Sequence, residues 1–399
     1  MVGFIKTRAR VALVLVTVGA LFSAVTACAA DKPVTESTAT GTPIKVGVVA
    51  TLSNHDDPYE DAVEGFKAWA ATTNGKGGLG GHPVEIVVED DGSDPAKALT
   101  AAKRLVEQER VALLISWSSF VAAWADYANQ KEIPVLGGQS SDPAVEKGGM
   151  LFPVATTISG LLYSQSLVAK NAGVKRMATF YTSKVPAAVE GARVKEKINA
   201  GVGLETVYDA AIDPGQPDFT AACLAAKNAG AEAVVLAGVP AERIATGCDQ
   251  QGFDPRWVYT NESFPEGVLN HKVLMSHLLA PSASFPFFLE IPETENYRAS
   301  MDTDYRGPDD AKFGPRTSVA WMTGLVLEEA VKNAGAKDIL GPADILAGLK
   351  KIDNFTANGL LPNVSYVGDG PRLNKCFWEL RAEDGELTAP NGLKTTCAP

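Results

Sequence analysis

The chain has 399 residues and a formal net charge of −11 at pH 7. This length predicts two domains, each with its own core. The acidic balance argues against a nucleic-acid partner, because phosphate backbones require a basic surface, and it disfavours electrostatic binding to anionic lipid.

The first residues of the chain have the pattern of a secretory signal. A positively charged start with Lys6, Arg8 and Arg10 precedes an apolar run over residues 11–25, and small residues follow up to Cys28. The apolar run is too short for a stable membrane span.

A cysteine directly after small residues makes this segment similar to a bacterial lipobox. That resemblance implies cleavage before Cys28 and attachment of lipid to its thiol. The alternative is an ordinary signal peptide with a chance cysteine. Residues 29–42 are small and polar, which is typical of a flexible tether. We therefore predict a signal peptide at 1–27, a lipidated tether at 28–42, and an extracytoplasmic protein held at the cell membrane by its lipid anchor.

The four remaining cysteines, an even number, suit disulfides in an oxidising compartment. The sequence leaves three pairings open, of which we favour the two local ones, Cys223–Cys248 and Cys376–Cys397. In the chain-entropy model, loops of this length each stabilise the fold by roughly 3 kcal/mol. No CxxC occurs and the four histidines have no ligand spacing to any cysteine, so we predict no metal site.

From residue 44 onward, short apolar runs alternate with helical patterns. Strands are predicted at 44–50, 84–88, 111–115 and 133–136, and helices at 59–73, 94–106 and 121–129. Asp94 followed by proline is a strong helix start, because a carboxylate caps the first N–H groups and proline fits the first turn. The alternation predicts a parallel sheet covered by helices on both faces.

The same alternation then restarts. Helices are predicted at 159–172, 187–200, 219–229 and 241–251, and strands at 176–181, 205–210, 233–237 and 257–260. Two further helices are predicted at 316–334 and 342–351, with strand-like pieces around 377–380. Two successive units of similar size predict an α/β protein with two lobes.

Residues 75–80 (GKGGLG) match the dinucleotide fingerprint GxGxxG. That fingerprint binds pyrophosphate only where it follows a strand and opens a helix. Here a predicted helix precedes the glycines and a strand follows them. We therefore interpret the segment as a helix stop with a tight turn, and we expect no cofactor.

Three segments resemble the branched-chain amino-acid-binding family of ABC-transporter solute receptors. They are DAVEGFKAWA at 61–70, NGKGGLGGHPVEIV at 74–87 and EDDGSDPAKA at 89–98, and a weaker likeness extends over most of 44–380. The resemblance implies the type I periplasmic-binding fold, in which two lobes, each a parallel sheet flanked by helices, are hinged by three crossovers.

For the two lobes we expect the first at 43–156 plus 283–350 and the second at 157–282 plus 351–399. The resemblance implies a monomeric receptor that captures an amino acid or similar small polar ligand between the lobes and delivers it to an ABC permease. A sensory module of the same fold stays open as an alternative. An extracytoplasmic enzyme has little support, because the chain has no GxSxG, HExxH or P-loop motif.

Ligands of open α/β sheets bind beyond the carboxyl ends of the strands, where loops and helix N-termini converge. Loops 116–119 and 137–142 each follow a predicted strand and offer hydroxyls and backbone N–H groups to an anion. The resemblance implies that Ser118 and Ser141 hold the ligand carboxylate. It further implies that Glu262, after the strand at 257–260, receives the ligand ammonium.

Four other residues are expected at the ligand site, and the aromatic residues around it differ from those of the family. Trp117 and Gln139 match positions that contribute backbone contacts, and Tyr59 is placed to reach the cleft from a short loop. Aromatic residues that close the cage in the family are missing here, although Tyr181 lies one position from such a place. The side-chain pocket has therefore changed, and the ligand is open between another amino acid, a small amide and an aromatic acid.

Overall fold

The computed structural model describes residues 38–54, 58–137, 142–184, 186–260, 266–304, 314–383 and 385–399. The strands are β1 Ile44–Ala50, β2 Val84–Asp90, β3 Leu113–Trp117, β4 Val135–Gly137, β5 Leu151–Phe152, β6 Arg176–Thr182, β7 Glu205–Ile212, β8 Ala233–Ala237, β9 Arg256–Tyr259, β10 His277–Ser282, β11 Cys376–Glu383, β12 Glu386–Thr388 and β13 Thr396–Cys397. The helices are α1 Glu60–Gly75, α2 Pro95–Glu107, α3 Ala125–Lys131, α4 Ile158–Asn171, α5 Pro186–Val202, α6 Thr220–Asn228, α7 Ala241–Gln250, α8 Glu266–Leu269, α9 Lys272–Ser276, α10 Glu295–Asp304, α11 Pro315–Ala334 and α12 Pro342–Leu349.

In the described residues, the first lobe contains a parallel sheet of five strands in the order β2-β1-β3-β4-β5. Alternate side chains of a strand point to opposite faces of the sheet. Val46 and Val48 of β1 pack in one core with Phe66 of α1. Val49 packs in a second core with Leu105 of α2. Both faces are buried, which is the arrangement that a parallel sheet requires.

The second lobe contains a mixed sheet in the order β12-β11-β10-β9-β8-β6-β7. The strands from β7 to β10 are parallel, whereas β11 and β12 run antiparallel at the other side. Phe180 and Val234 pack in a core with Ile244 of α7. Val235 faces the opposite core with Val168 of α4. The two-lobed α/β fold predicted from the sequence is therefore confirmed.

Both predicted disulfides are present. Cys223 of α6 bonds to Cys248 of α7, and both cysteines are fully buried in the second-lobe core. Cys376 bonds to Cys397, which joins β13 to β11. The local pairing favoured among the three possibilities is confirmed.

The chain crosses between the lobes at residues 153–157, 283–285 and 373–375. The first and third crossings are tied together, because the Thr157 N–H donates to the Asn374 carbonyl at 2.8 Å. Thr156 Oγ1 also donates to the carbonyl of Cys376 at 2.7 Å. These hydrogen bonds join two of the three crossing segments, which is the arrangement expected of a hinge.

Residues 352–372 contact the first lobe, whereas the sequence placed everything from residue 351 onward in the second. Leu361 packs in the first-lobe core. Arg372 Nη1 donates to the carbonyls of Gly149 and Leu151 at 2.8 and 2.7 Å, at the far side of the first sheet. At this end of the chain the change of lobe lies at residues 373–375, just before β11.

The predicted elements agree with the structure where the sequence has a strong local signature. The strand predicted at 233–237 coincides with β8, and Asp94 caps α2 by accepting hydrogen bonds from the N–H groups of Ala96 and Lys97 at 2.8 and 2.9 Å. The helix predicted at 121–129 is instead a 3₁₀ turn followed by α3. The strand predicted at 111–115 begins two residues later, at the first residue paired with β1.

The glycines of the GxGxxG segment form a turn between α1 and β2, as the sequence indicated. Gly78 has φ +71°, and a Cβ there would lie 2.2 Å from the carbonyl oxygen of His82. Leu79 and His82 exchange backbone hydrogen bonds that close the turn. In the described part of the chain, no helix combines the length and the apolar character needed to cross a membrane.

Candidate functional site

The carboxyl ends of the parallel strands define one edge of each sheet. In the first lobe this edge carries Thr51 after β1, Asp91 after β2 and Ser118 after β3. In the second lobe it carries Tyr181 near the end of β6 and Thr260 after β9. Ligands of α/β proteins bind at such edges, so these positions are the place to look for a site.

Asp91 organises the first-lobe edge. Its carboxylate has no exposed surface. One carboxylate oxygen accepts from Thr51 Oγ1 at 2.8 Å and from Ser118 Oγ at 2.5 Å, while the other accepts from the Ser93 N–H at 2.9 Å. The Ser119 N–H donates to Thr51 Oγ1 at 3.1 Å. The network thus joins the ends of β1, β2 and β3 into one rigid rim.

Ser118, which was predicted to hold a ligand carboxylate, is fully buried in this rim. Its hydroxyl donates to Asp91 and accepts from the Phe120 N–H at 3.0 Å. A hydroxyl has a single proton, so in this arrangement Ser118 donates to no other group. The structure brings Ser118 to the predicted edge, and its contact with a ligand stays a prediction.

Asp90, the neighbour of Asp91, keeps a negative charge at the exposed side of the rim. Its carboxylate accepts from the N–H groups of Leu52 at 3.0 Å and Gly92 at 2.9 Å, and from Ser53 Oγ at 2.5 Å. Burial alone would raise the pKa of Asp90, but these hydrogen bonds lower it below its usual value. The described first-lobe edge is therefore acidic.

Two predicted aromatic residues lie at the same edge. Trp117 is buried and meets Phe66 edge-on, with ring centroids 5.7 Å apart. The Tyr59 N–H donates to the Thr51 carbonyl at 3.0 Å, and the guanidinium of Arg316 lies 4.3 Å from the centre of the Tyr59 ring. Tyr59 thus borders the rim, whereas the Trp117 ring belongs to the core beneath it.

A cavity of about 370 Å³ lies in the second lobe at the carboxyl ends of β6, β8 and β9. Its other walls are α4 and α5, and its volume is in the range of small-molecule sites. Tyr181, predicted as a site residue, lines this cavity together with Leu162, Gln165, Gly191, Lys195 and Thr260. Gln165 Nε2 donates to Thr260 Oγ1 at 2.5 Å, which fixes one end of the wall.

Lys195 is the charged residue of this cavity. It is 2% exposed, and its Nζ donates to the carbonyl of Leu162 on the neighbouring helix α4. Burial lowers the pKa of Lys195 to about 7, because an ammonium ion is poorly solvated in an apolar wall. The cavity thus combines apolar walls with one amine that changes charge near neutral pH.

A larger groove, of about 1050 Å³, lies on the first lobe between α1 and α11. It is lined by Trp69, Lys76, His82 and Glu328, which lie near the amino ends of the strands. Convergent loops and helix N-termini are a property of the carboxyl edge, so we assign the candidate site to the smaller cavity and the rim.

The structure describes four of the seven predicted ligand-contact residues. Ser118, Trp117 and Tyr59 lie at the first-lobe edge and Tyr181 at the second-lobe cavity. Outside the described residues lie Gln139, Ser141, Glu262 and Cys28. Within the described residues, no group of three or more metal-ligating side chains comes together.

Sequence reasoning missed Asp91 and Lys195 as site residues. Asp91 stands inside the acidic turn that carried the family resemblance, so a signal for it was present. Lys195 had no such signal, because a lysine within a helical pattern is ordinarily a surface residue.

Comparison with known proteins gives a consistent result. The family model described as "Periplasmic binding protein" matches residues 43–386. A protein named Leu/Ile/Val-binding protein homolog 2, from Brucella abortus, is 23% identical over 358 residues, which cover 86% of this chain and 92% of the relative.

Solved structures share the fold at low sequence identity. A leucine-binding protein from Thermotoga maritima has a TM-score of 0.68 at 20% identity and covers 89% of this chain and 99% of its own. A fatty acid ABC transporter substrate-binding protein from Thermomonospora curvata has a TM-score of 0.69 at 16% identity, covering 91% of this chain and 94% of its own.

Proposed function

This chain belongs to the periplasmic binding protein family, and on that premise we propose that it is the solute receptor of an ABC transporter. In this proposal it captures a small organic ligand between its lobes outside the cytoplasm and delivers it to a membrane permease. It acts as a binding protein and catalyses no reaction.

The cavity at the carboxyl edge of the second sheet is the observation that carries the proposal. It faces the edge at which α/β proteins bind ligands, and its volume of about 370 Å³ suits a single small molecule. The first-lobe rim presents the exposed Ser53 hydroxyl and Asp90 carboxylate at the corresponding edge. Closing two such edges around a ligand removes it from water, which strengthens every polar contact made to it.

We propose that the ligand is an amino acid or a related small molecule with a carboxylate or amide end. Two relatives carry leucine or Leu/Ile/Val binding in their names, and one structural neighbour is named for fatty acids. The compounds in these names share a carboxylate attached to an apolar group. Ser118, Ser141, Gln139, Glu262, Trp117, Tyr59 and Tyr181 remain the proposed contacts.

The proposal includes a lipid anchor at Cys28 that keeps the receptor beside its permease. A single acyl chain binds membranes only marginally, so lipoproteins of this kind need more than one chain for stable retention. A Cys28→Ala variant is expected to leave the membrane fraction, whereas a variant of any disulfide pair is expected to stay there.

Thermal unfolding of the purified full-length protein tests the receptor function. The panel holds the standard amino acids, small primary amides and short aliphatic and aromatic acids. A ligand present at 100 times its Kd stabilises the native state by about 2.7 kcal/mol and raises the Tm. The same ligand is expected to reduce the radius of gyration in small-angle X-ray scattering, because the lobes close around it.

Two results would contradict the proposal. One is a panel in which no compound raises the Tm. The other is a ligand that stabilises the protein and is chemically altered on recovery, since that outcome would assign an enzyme to the fold.

A further inference from the structure

The second-lobe cavity is lined by apolar groups and by one basic side chain. Its apolar wall includes Leu161 and Leu162 of α4, Ala192 of α5 and Leu236 of β8. Among the described residues that line it, Lys195 is the one basic side chain and none carries a carboxylate. The cavity therefore offers one buried amine and no acidic partner for it.

The amine of Lys195 has unused hydrogen-bonding capacity. An ammonium group has three N–H donors, and the contact recorded for Lys195 is a single donation to the Leu162 carbonyl. In the described part of the chain no carboxylate pairs with Lys195, and burial acts on its amine without an opposing charge. A buried cation without a counter-ion is costly, and a ligand that brings a negative charge would remove that cost.

The space beside Lys195 is kept open by small residues on α5. Gly191 lies inside this helix, where glycine costs about 1 kcal/mol relative to alanine. Its φ is not in the left-handed region, and a Cβ would make an ordinary contact of 3.7 Å with Leu162 Cδ2. The backbone does not require glycine here, and the missing side chain leaves this part of the cavity wall open. At roughly 30 Å³ for each water molecule, the space holds on the order of ten non-hydrogen atoms.

We propose that this cavity is a subsite for an apolar carboxylate, in which Lys195 pairs with the carboxylate and the walls of α4 and α5 hold a branched aliphatic or single-ring aromatic group. The inference rests on the proposed receptor function and adds the chemical class of the ligand and the residue that selects it. In this orientation the acid of the ligand lies in the second lobe, and the first-lobe residues proposed above contact the rest of the ligand.

A proton accompanies this binding. Burial lowers the pKa of Lys195 to about 7, so at pH 8 most of the free protein carries a neutral amine. A bound carboxylate favours the ammonium form, and the amine takes one proton from solution. The other titratable side chains that line the cavity are Tyr181 and Tyr259, and Asp209 lies opposite Thr179 on the neighbouring strand β7.

A purely structural role for Lys195 makes a different prediction. In that case the lysine only links α5 to α4 through the Leu162 carbonyl, and its removal weakens every ligand alike. Selectivity between an acid and its amide separates the two roles, since the pair differs in charge and hardly in shape.

The experiment measures binding of isovalerate, benzoate and 3-phenylpropanoate, each beside its primary amide, to the full-length protein by calorimetry at pH 8. We expect at least one acid to bind about tenfold or more tighter than its amide, which corresponds to about 1.4 kcal/mol. Acid binding is expected to take up close to one proton, measured in buffers of different ionisation enthalpy, and amide binding none.

Four variants complete the test. Lys195→Met is expected to abolish the preference for the acid, and Lys197→Met, an exposed lysine of the same helix, is expected to keep it. Gly191→Leu is expected to fill the cavity and abolish binding. Gly201→Leu, on the same helix with no atom within 4 Å of a Cβ, is expected to bind as the wild type does.

The outcomes distinguish this inference from the receptor function. Equal loss of acid and amide affinity in Lys195→Met, or acid binding to the wild type without proton uptake, overturns the inference. Amino acids that bind equally well to wild type and Lys195→Met, while no acid binds, overturn it and leave the receptor function standing. If Lys195→Met does not fold, the proton uptake of the wild type and the Gly191→Leu variant decide.

Discussion

Asp91 shows how a single buried carboxylate can hold together the ends of three strands. Its carboxylate, which has no exposed surface, accepts from the hydroxyls of Thr51 and Ser118 and from the Ser93 N–H. The hydroxyls of Thr51 and Ser118 are fully buried, so without Asp91 they would lack this partner. The rim is therefore rigid before any ligand arrives.

We predict that Asp91→Ala destabilises the protein by about 3 kcal/mol, because it leaves buried donors unsatisfied. The free energy of unfolding, measured by chemical denaturation, checks this value. Asp338→Ala, which removes an exposed carboxylate from the same lobe, is the matched control and is expected to stay close to wild type. A small effect of Asp91→Ala, similar to that of the control, would show that Thr51 and Ser118 find other partners.

At the scale of single residues, the sequence does not predict contacts between residues that lie far apart along the chain. Ser118 was placed at the correct edge by the strand that precedes it. Its hydrogen-bond partner Asp91 lies 27 residues upstream, and the two meet only because β2 and β3 flank β1. Lys195 becomes a cavity residue only because α4 covers it. Neither contact leaves a local pattern in the sequence.

At the scale of elements, the first lobe depends on close contacts between helices. Gly324 of α11 lies against the Trp69 ring of α1, where a Cβ would come within 2.2 Å of the indole. Gly348 of α12 lies against α11, where a Cβ would lie 1.9 Å from the Ala330 carbonyl oxygen. No rotamer change relieves a clash with a backbone oxygen, so glycine sets the spacing between α11 and α12.

We predict that Gly348→Ala destabilises the protein by about 3 kcal/mol or more, because α12 must move away from the core that it covers. Gly201→Ala, near the end of α5 with open space around it, is the matched substitution. It is expected to raise stability by a few tenths of a kcal/mol through helix propensity alone. The Tm values of the two variants, measured side by side, test the difference in sign.

Element prediction succeeded where a segment has a strong local signature. β8 and the capped start of α2 were found because buried strands and N-caps have local signatures. β5 has two residues, which is too short for any period. β10 contains Pro281, a residue that argues against a central strand, yet β10 lies between β9 and β11. Tertiary pairing overrides local preference in such segments.

At the scale of the whole molecule, both disulfides lie in the second lobe. Cys223 and Cys248 join two helices on one face of its sheet, and Cys376 and Cys397 join β13 to β11. The loops span 25 and 21 residues, so each bond stabilises the lobe by about 3 kcal/mol in the chain-entropy model. The first lobe has no disulfide among its described residues and depends on the packing of its two cores.

We predict that full reduction separates the unfolding of the two lobes. The oxidised protein is expected to unfold in a single calorimetric transition, because three crossovers join the lobes. After reduction the second lobe loses about 6 kcal/mol from two bonds and is expected to unfold first. Hydrogen exchange with mass spectrometry checks the order, since α6 and α7 should lose protection at a lower temperature than α1 and α11.

Double-cysteine variants measure the effect of each disulfide by itself. Cys223 and Cys248 are fully buried, whereas Cys397 is exposed, so a mild reductant should open the Cys376–Cys397 bond first. The double variant Cys376→Ala with Cys397→Ala is therefore expected to reproduce the early stage of reduction, and Cys223→Ala with Cys248→Ala the late stage. The prediction is wrong if reduction lowers the temperature of one common transition and both lobes lose protection together. In that case the crossovers couple the lobes and they unfold as one unit.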